Sequence, residues 1–303
     1  MAKRAVASLL SLAVVRALSL KSAKVETLDG FFLNRGHSFW YRIARPDLMQ
    51  TKGAAAPLVV CHGGPQVPSD YLFGLEGLDD RPVIWYDQLG CGRSDKPEAI
   101  TTSGDATYSV EASAKDLEKL LSTLKLLVPT FANKRFHLYG QSWGGLLAFE
   151  HVSAQTMPQP LTLTLSNTPT SVDLVEAEAG RLVSECGDSV EEFMSKHNCR
   201  VQPEPELLAA AYKHAGTTWR GTAAIAGLEV TAEQMRRVDC PTLCLRGEHD
   251  FVTEACVEGF KEVPDIEFAT LSGCSHHALL EDPDAYCDAL QNFLRKYDLP
   301  AGL

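Results

Sequence analysis

The chain has 303 residues, 45% of them hydrophobic, and a formal net charge of −11. This length and apolar content suit one large α/β domain with an inserted element. The acidic balance, without a cluster of lysine and arginine, excludes a nucleic-acid-binding protein. Nine cysteines without C-x-x-C pairs do not indicate a disulfide framework. Cys240 and Cys244 lack a second ligand pair, so we expect no zinc or other metal site.

The first 22 residues carry a possible targeting segment. Lys3 and Arg4 precede an apolar stretch at residues 5–15, as in a secretory signal peptide. The absence of acidic residues before Glu26 also suits an organellar transit peptide, and a plain N-terminal helix is a third reading. The apolar stretch is too short to span a bilayer. We predict a secreted or organellar protein if this is a targeting peptide, and a cytoplasmic one otherwise.

Short apolar runs that alternate with helical patterns predict a mostly parallel sheet flanked by helices. Runs at residues 25–28 and 38–42 predict an opening hairpin. The later predicted strands are residues 58–61, 83–86, 136–139, 161–165, 242–245 and 266–271. Between residues 110 and 128, leucines at helical spacing predict a helix that packs on the sheet. The predicted α/β core therefore comprises residues 23–167 and 239–303.

The most informative motif is G-x-S-x-G at residues 140–144, between the predicted strand at 136–139 and an apolar helical run at 146–152. At such a junction, small residues permit a sharp, strained turn that exposes the serine hydroxyl above the sheet. Ser142 is therefore the candidate nucleophile. The motif alone is moderately specific, because Gly and Ser are also common in ordinary loops.

A serine nucleophile needs a general base and an acid that orients the base, in the chain order Ser, Asp, His. Asp250 lies just after the predicted strand at 242–245, where sites in open α/β sheets collect. His276 follows the predicted strand at 266–271. We therefore predict that Ser142, Asp250 and His276 form a catalytic triad.

Several alternatives to this triad stay open from the sequence. Asp250 also suits a helix cap before residue 253. Glu248 and His249 lie on the same loop and are further candidates. His277 competes with His276, although adjacent loop residues point in different directions and one of them alone faces the serine.

The loop at residues 62–65 (HGGP) supplies candidates for an oxyanion hole. Its glycines allow backbone N–H groups to approach a substrate, so we predict that the N–H groups of Gly64 and Trp143 form the hole. We expect His62 to have a structural role in the loop. We also expect Arg93 and Asp95 to fix their own loop.

Residues 168–238 interrupt the alternation of strands and helices, and they are acidic, helix-prone and rich in proline near residue 204. We predict a helical cap here, which would cover the C-terminal edge of the sheet and set substrate choice. Trp219 is either an apolar wall of the pocket or a packing aromatic. Cys61, Cys91 and Cys274 lie in or beside the motif loops and predict sensitivity to thiol reagents.

Five segments together resemble the proline iminopeptidase branch of the α/β-hydrolase superfamily, including the tricorn-interacting aminopeptidases. They are residues 62–65 (HGGP), 86–97 (YDQLGCGRSDKP), 140–145 (GQSWGG), 246–253 (RGEHDFVT) and 273–283 (GCSHHALLEDP). The resemblance implies an α/β-hydrolase fold with the same triad and oxyanion hole. It also implies a cofactor-free serine hydrolase that releases an N-terminal residue, proline or another, from small peptides or amides. The alternative is an esterase or other acyl hydrolase with the same triad; the oligomeric state is left open.

Two features depart from the family pattern. Gln66 stands where the family's HGGPG loop has its last glycine, so we expect a less free backbone and a side-chain amide at the edge of the site. The family's acidic cap residues hold the substrate's amino group, and the glutamates here do not match that pair by position. These are Glu176, Glu178, Glu185, Glu191, Glu192, Glu204 and Glu206. Most of them should form solvated helix faces, and one over the pocket would favour a free amine.

Overall fold

The structure of the chain is a computed structural model, which describes residues 25–51, 53–98, 107–127, 131 and 136–298. The predicted targeting segment, residues 1–22, lies outside these residues. The first described strand begins at Thr27.

An eight-stranded sheet forms the centre of the molecule. In chain order its strands are β1 (Thr27–Asn34), β2 (His37–Ala44), β3 (Leu58–Cys61), β4 (Val83–Tyr86), β5 (His137–Gln141), β6 (Leu163–Ser166), β7 (Thr242–Gly247) and β8 (Ile266–Leu271). Their spatial order is β1-β2-β4-β3-β5-β6-β7-β8. β2 pairs antiparallel with β1 and β4, and the remaining neighbours are parallel. The predicted α/β fold class is confirmed.

The sheet lies between two apolar layers. Along β3, Val59 and Cys61 contact one buried cluster, whereas Leu58 and Val60 contact the other. Successive side chains of a strand point to opposite faces, so a strand that is apolar throughout must be covered on both sides. The uninterrupted apolar run that predicted this strand is thus explained by its central position.

Helices cover both faces of the sheet. They are α1 (Val110–Leu127), α2 (Trp143–Ser153), α3 (Val172–Glu185), α4 (Val190–Phe193), α5 (Glu206–Lys213), α6 (Ala232–Arg236), α7 (Glu254–Val257), α8 (Ala278–Glu281) and α9 (Pro283–Arg295). The leucine stripe of α1 is buried as predicted, except for Leu127 at its end, which is exposed. None of the helices in the described parts of the chain is both long enough and apolar enough to cross a membrane.

The segment that the sequence predicts as a cap contains α3 to α6 and lies between β6 and β7. The hydroxyl of Ser171 accepts the N–H of Leu174 at the start of α3. Thr231 and Gln234 form a reciprocal capping box at the start of α6. The backbone of this segment also returns to the core, since the N–H of Gly216 donates to the carbonyl of Gln66 at 2.9 Å.

Candidate active site

Ser142 occupies a strained turn between β5 and α2. Its backbone has φ 55° and ψ −121°, a conformation that costs energy for a residue with a side chain. Two hydrogen bonds hold this turn: the Ser142 N–H donates to the carbonyl of Ser166 at 2.8 Å, and the Ser142 carbonyl accepts the N–H of Gly145 at 2.9 Å. Ser142 is half-buried and lines the cavity described below.

The small residues of the motif are required by close backbone contacts. A Cβ atom at Gly144 would collide with the carbonyl groups of Cys61 and His62 at the end of β3. A Cβ atom at Gly140 would collide with the backbone of Gly144 itself. The turn therefore packs directly on the neighbouring strand end, which explains why glycines flank the serine.

Asp250 and His276 form a buried hydrogen-bonded pair. Oδ1 of Asp250 lies 2.8 Å from Nδ1 of His276, and both side chains are buried. Oδ2 of Asp250 accepts the amide of Asn167 at 2.6 Å, and Oδ1 also accepts the N–H of Val252 at 2.9 Å. The ring of Phe251 stacks on the imidazole with 4.1 Å between centroids. The carboxylate is thus fixed against Nδ1 of His276, and Nε2 is left for other contacts.

A second network reaches the other nitrogen of His276, and it was not predicted from the sequence. The N–H of Gly63 donates to Oη of Tyr71 at 2.7 Å, and that hydroxyl donates to Oε1 of Gln141 at 2.7 Å. Nε2 of Gln141 then lies 3.2 Å from Nε2 of His276. Because an amide nitrogen can only donate, Nε2 of His276 accepts, and its proton lies on Nδ1 facing Asp250.

The alternatives to this triad have other partners. The cap residue of α7 is Thr253, so Asp250 does not cap that helix. Glu248 is exposed and accepts hydrogen bonds from Ser272 and from the N–H of Gly273. His249 is 40% exposed and lies near Glu248.

His277 is buried beside Tyr71 and Tyr212, away from Asp250. Burial, with a smaller effect of the neighbouring His276, holds its pKa well below the usual 6.5. His277 is thus a neutral group of the cavity wall, and the structure pairs the other histidine with the acid.

The two predicted oxyanion-hole residues line the same cavity as Ser142. Gly64 has φ 118°, which only glycine adopts freely, and a Cβ atom there would collide with the backbone nitrogens of Gln66 and Val67. Trp143 is the first residue of α2, so its N–H has no acceptor within the helix. Its indole N–H donates to Oε1 of Gln88 at 2.8 Å, which fixes the ring.

The residues expected to support the loops do so. Burial lowers the pKa of His62, and its Nε2 accepts the N–H of Gln88 at 2.9 Å, so this histidine is neutral and structural. Arg93 pairs with Asp87 at 2.7 Å. The carboxylate of Asp95 accepts a backbone N–H of β2 at 2.8 Å. These predictions are confirmed.

Burial opposes the predicted thiol sensitivity. It raises the pKa of Cys61 to about 12 and that of Cys274 to about 11, and it holds the pKa of Cys91 well above 9. The thiolate is the reactive form, and these three thiols are buried and protonated near neutral pH.

We expected the side-chain amide of Gln66 at the edge of the site, and the structure places it elsewhere. Its backbone keeps the left-handed conformation, with φ 61°, although the residue is not glycine. Its buried side chain donates to the carbonyl of Leu89 at 3.4 Å and accepts the N–H of Trp219 at 3.2 Å. Gln66 does not line the cavity. It instead ties the loop to the segment between β6 and β7.

The cavity above Ser142 has a volume of about 230 Å³. One part of its lining is apolar, because Val172, Val175, Ile225, Phe251 and Val252 contribute to it. Trp219 is not among the lining residues. Its ring instead packs edge-on against Trp143, 5.3 Å between centroids, and stacks on Tyr108 at 6.3 Å. Trp219 therefore packs against Trp143, a residue of the cavity wall, and does not line the cavity itself.

The sequence matches the alpha/beta hydrolase family over residues 58–289. The chain belongs to this family. It is similar to the proline iminopeptidase of Saccharolobus solfataricus, 27% identical over 91% of this chain and 95% of the relative. It is 28% identical to that of Lactobacillus helveticus, over 90% and 100% of the two chains. The crystal structure of proline iminopeptidase from Mycobacterium smegmatis shares the fold, with a TM-score of 0.74, 23% identity and coverage of 89% and 98%. The resemblance predicted from the motifs is confirmed.

In this α/β hydrolase, none of the seven glutamates considered for amine binding lines the cavity. Several have partners elsewhere: Glu178 and Glu185 pair with Arg181, and Glu192 pairs with Lys196. These pairs lie one helical turn apart on exposed surfaces, as predicted for solvated helix faces. Among the described residues, the single formally charged side chain that lines the cavity is Arg220.

Proposed function

We propose that this α/β hydrolase is a serine hydrolase that cleaves small amides or esters through an acyl-enzyme on Ser142. The observation that carries the proposal is the hydrogen bond of 2.8 Å between Asp250 and His276, in a pair whose histidine shares one cavity with Ser142. Asp250 keeps the proton of His276 on Nδ1, so Nε2 is free of a proton and is available as a base.

The proposed reaction has two halves. In the first, Oγ of Ser142 attacks the substrate carbonyl carbon while its proton passes to Nε2 of His276. The tetrahedral intermediate collapses, the bond to the leaving amine or alcohol breaks, and His276 gives that group its proton. In the second half, water attacks the acyl-enzyme with His276 again as base, and the carboxylic acid product leaves Ser142.

The backbone N–H groups of Gly64 and Trp143 are the proposed donors to the oxyanion. The negative charge develops beside the first turn of α2, where the helix dipole also favours an anion. We further propose that residues 168–238 act as a cap that selects the substrate. Pro169, Val172, Asn198, Tyr212 and Arg220 of this segment line the cavity.

Removal of N-terminal residues, including proline, is the second candidate. It is supported by the similarity to proline iminopeptidases over about nine tenths of the chain. The two candidate functions differ in whether the substrate needs a free amino group. Alanine and proline arylamides, their N-acetyl forms and short-chain aryl esters should be compared: an aminopeptidase hydrolyses the free amine at least about tenfold better, as one charge-assisted contact predicts.

Covalent labelling tests the serine chemistry. The protein is treated with a fluorophosphonate, and intact mass is measured for the wild type and for Ser142→Ala. We expect a single added phosphonate group on the wild type and none on the variant, with kcat reduced roughly 10³-fold or more in the variant. A variant that is labelled like the wild type, or that turns over at a similar rate, excludes Ser142 as nucleophile.

A further inference from the structure

Four residues of the cavity wall contact one another and form what we call the Arg220 cluster: Asn198, Tyr212, Arg220 and His277. The amide of Asn198 donates to Oη of Tyr212 at 3.3 Å, and this hydroxyl lies 3.5 Å from Nε2 of His277. The guanidinium carbon of Arg220 lies 6.0 Å from the centroid of the Tyr212 ring. One of these contacts, between Tyr212 and His277, links the segment between β6 and β7 to the loop that follows β8.

The cluster carries one formal charge near neutral pH, and that charge is positive. Burial raises the pKa of Tyr212, so its hydroxyl stays protonated. Burial and the neighbouring His276 keep the pKa of His277 well below 6.5, so the ring is neutral. The guanidinium of Arg220 stays charged at every pH at which proteins are folded. A cation with neutral donors beside it suits an anionic or hydrogen-bond-accepting ligand.

The guanidinium of Arg220 is also available for a ligand. The chain has 39 acidic and 28 basic residues, and exposed arginines such as Arg181, Arg236 and Arg237 pair with glutamates. Within the residues that the structure describes, Arg220 forms no ion pair. Its planar group matches the two oxygens of a carboxylate better than an ammonium would.

We propose that the Arg220 cluster binds a carboxylate of the substrate, so that the preferred substrates are small esters or amides with a carboxylate a few bonds from the scissile carbonyl. This inference rests on the acyl-enzyme chemistry proposed for Ser142. The small cavity brings the two groups within reach of one short molecule. A substrate with a protonated amine in the same place meets a like charge and binds less well.

Three benzyl esters of similar length test this charge preference. They are the monobenzyl ester of glutaric acid, benzyl pentanoate and the benzyl ester of 4-aminobutyric acid, which carry a negative, a neutral and a positive end. A serine esterase and a serine amidase both hydrolyse such esters, and released benzyl alcohol is measured. We expect the highest kcat/KM for the glutarate ester and the lowest for the aminobutyrate ester.

The variant Arg220→Gln should lower the ratio of kcat/KM for glutarate over pentanoate by about tenfold, allowing for solvent screening at this exposed side chain. Arg220→Lys keeps the charge and should retain more of the ratio. Arg236→Gln removes a positive charge from an exposed ion pair that does not line the cavity, and it is the matched control, with the ratio unchanged. Thermal unfolding checks that each variant is folded.

The outcomes separate the two proposals. If Ser142→Ala is inactive on all three esters and Arg220→Gln leaves the ratio unchanged, the carboxylate site is excluded while the serine mechanism stands. If Arg236→Gln lowers the glutarate-to-pentanoate ratio as much as Arg220→Gln does, the carboxylate site is also excluded, because the overall charge of the protein would then explain the preference. If Ser142→Ala retains turnover, the serine mechanism itself fails. A preference for the aminobutyrate ester favours the aminopeptidase candidate and overturns the inference.

Discussion

Gln141, the residue immediately before the candidate nucleophile, donates a hydrogen bond of 3.2 Å to Nε2 of His276, the atom that accepts the proton of Ser142 in the proposed mechanism. Oε1 of the same amide group accepts a hydrogen bond from the hydroxyl of Tyr71. In this resting arrangement, Nε2 of His276 is occupied by a neutral donor. In the proposed mechanism, Gln141 therefore positions the ring of His276 in the free enzyme and leaves Nε2 when the proton of Ser142 is transferred.

Gln141→Glu replaces that donor by a carboxylate of the same size. A negative charge beside the imidazole stabilises its protonated, inactive form. We therefore expect the acid limb of the pH profile of kcat/KM to move to higher pH, by about one unit. The measurement is the rate on a neutral ester between pH 5 and pH 9.

Tyr71→Phe is the control for this change. It disturbs the same network but adds no charge near His276, so the acid limb should stay where it is in the wild type, whatever happens to the rate. An unchanged acid limb in Gln141→Glu would show that Gln141 does not contact His276 in the free enzyme, the state that the pH profile of kcat/KM reports.

The two adjacent histidines should differ strongly on substitution. His276→Ala removes the group that bonds to Asp250, and we expect kcat to fall roughly 10³-fold or more. His277→Ala enlarges the cavity wall but leaves the acid–base pair, so the expected loss is at most about tenfold. Both variants are compared on one neutral ester. The opposite order would transfer the role of base to His277.

The central part of the fold was predictable because its signals are local. Strands β3, β4 and β8 have the predicted bounds, since each is a short run of mainly apolar residues that ends at a polar residue. Strand β1 is longer than predicted. In β1, Phe32 alone is buried, and Leu28 and Leu33 are exposed, so this edge strand lacks the apolar alternation that marks a half-buried one.

The contacts that tune the site were not predictable. Gln141 meets Tyr71 and His276 across 70 and 135 positions of the chain, and no local pattern encodes such distances. The same holds for the cavity wall. The sequence indicated that cap glutamates were candidates. Which charged side chain of this segment reaches the cavity depends on how its helices pack, and among the described residues that side chain is Arg220.

Gln66→Ala should loosen the connection between the loop at residues 62–66 and the segment between β6 and β7. The change removes the buried side-chain hydrogen bonds to Leu89 and Trp219 while keeping the strained backbone. We expect the free energy of unfolding to fall by about 1–3 kcal/mol, because those two backbone groups lose their partner. Urea denaturation measures this change.

The exposed Gln202 offers a matched control, Gln202→Ala, with a change in the free energy of unfolding below about 0.5 kcal/mol. Equal losses in the two variants would contradict the bridging role of Gln66.

Asp298 joins the end of the described chain to the sheet through a buried cation. Its carboxylate lies 2.9 Å from Nη2 of the fully buried Arg81 and 3.2 Å from Nε2 of His137. It also accepts the N–H of Ala56 at 2.9 Å. Burial alone would raise the pKa of Asp298, but the hydrogen bond from His137 and the charge of Arg81 outweigh burial and lower it from 3.8 to about 2. The folded state therefore favours the ionised carboxylate.

Asp298→Asn should lower the free energy of unfolding by about 1–3 kcal/mol near pH 7, because the buried Arg81 loses one of its two half-buried carboxylate partners. A carboxylate whose pKa is lowered on folding stabilises the protein above its unfolded pKa, here near 4, and this contribution is lost as the pH falls towards 2. The difference between wild type and variant should thus be constant from pH 7 to pH 5 and shrink below pH 4. Urea denaturation at each pH measures it, with Asp288→Asn on the exposed face of α9 as control. A difference that is independent of pH would mean that the ionised form of Asp298 does not stabilise the fold.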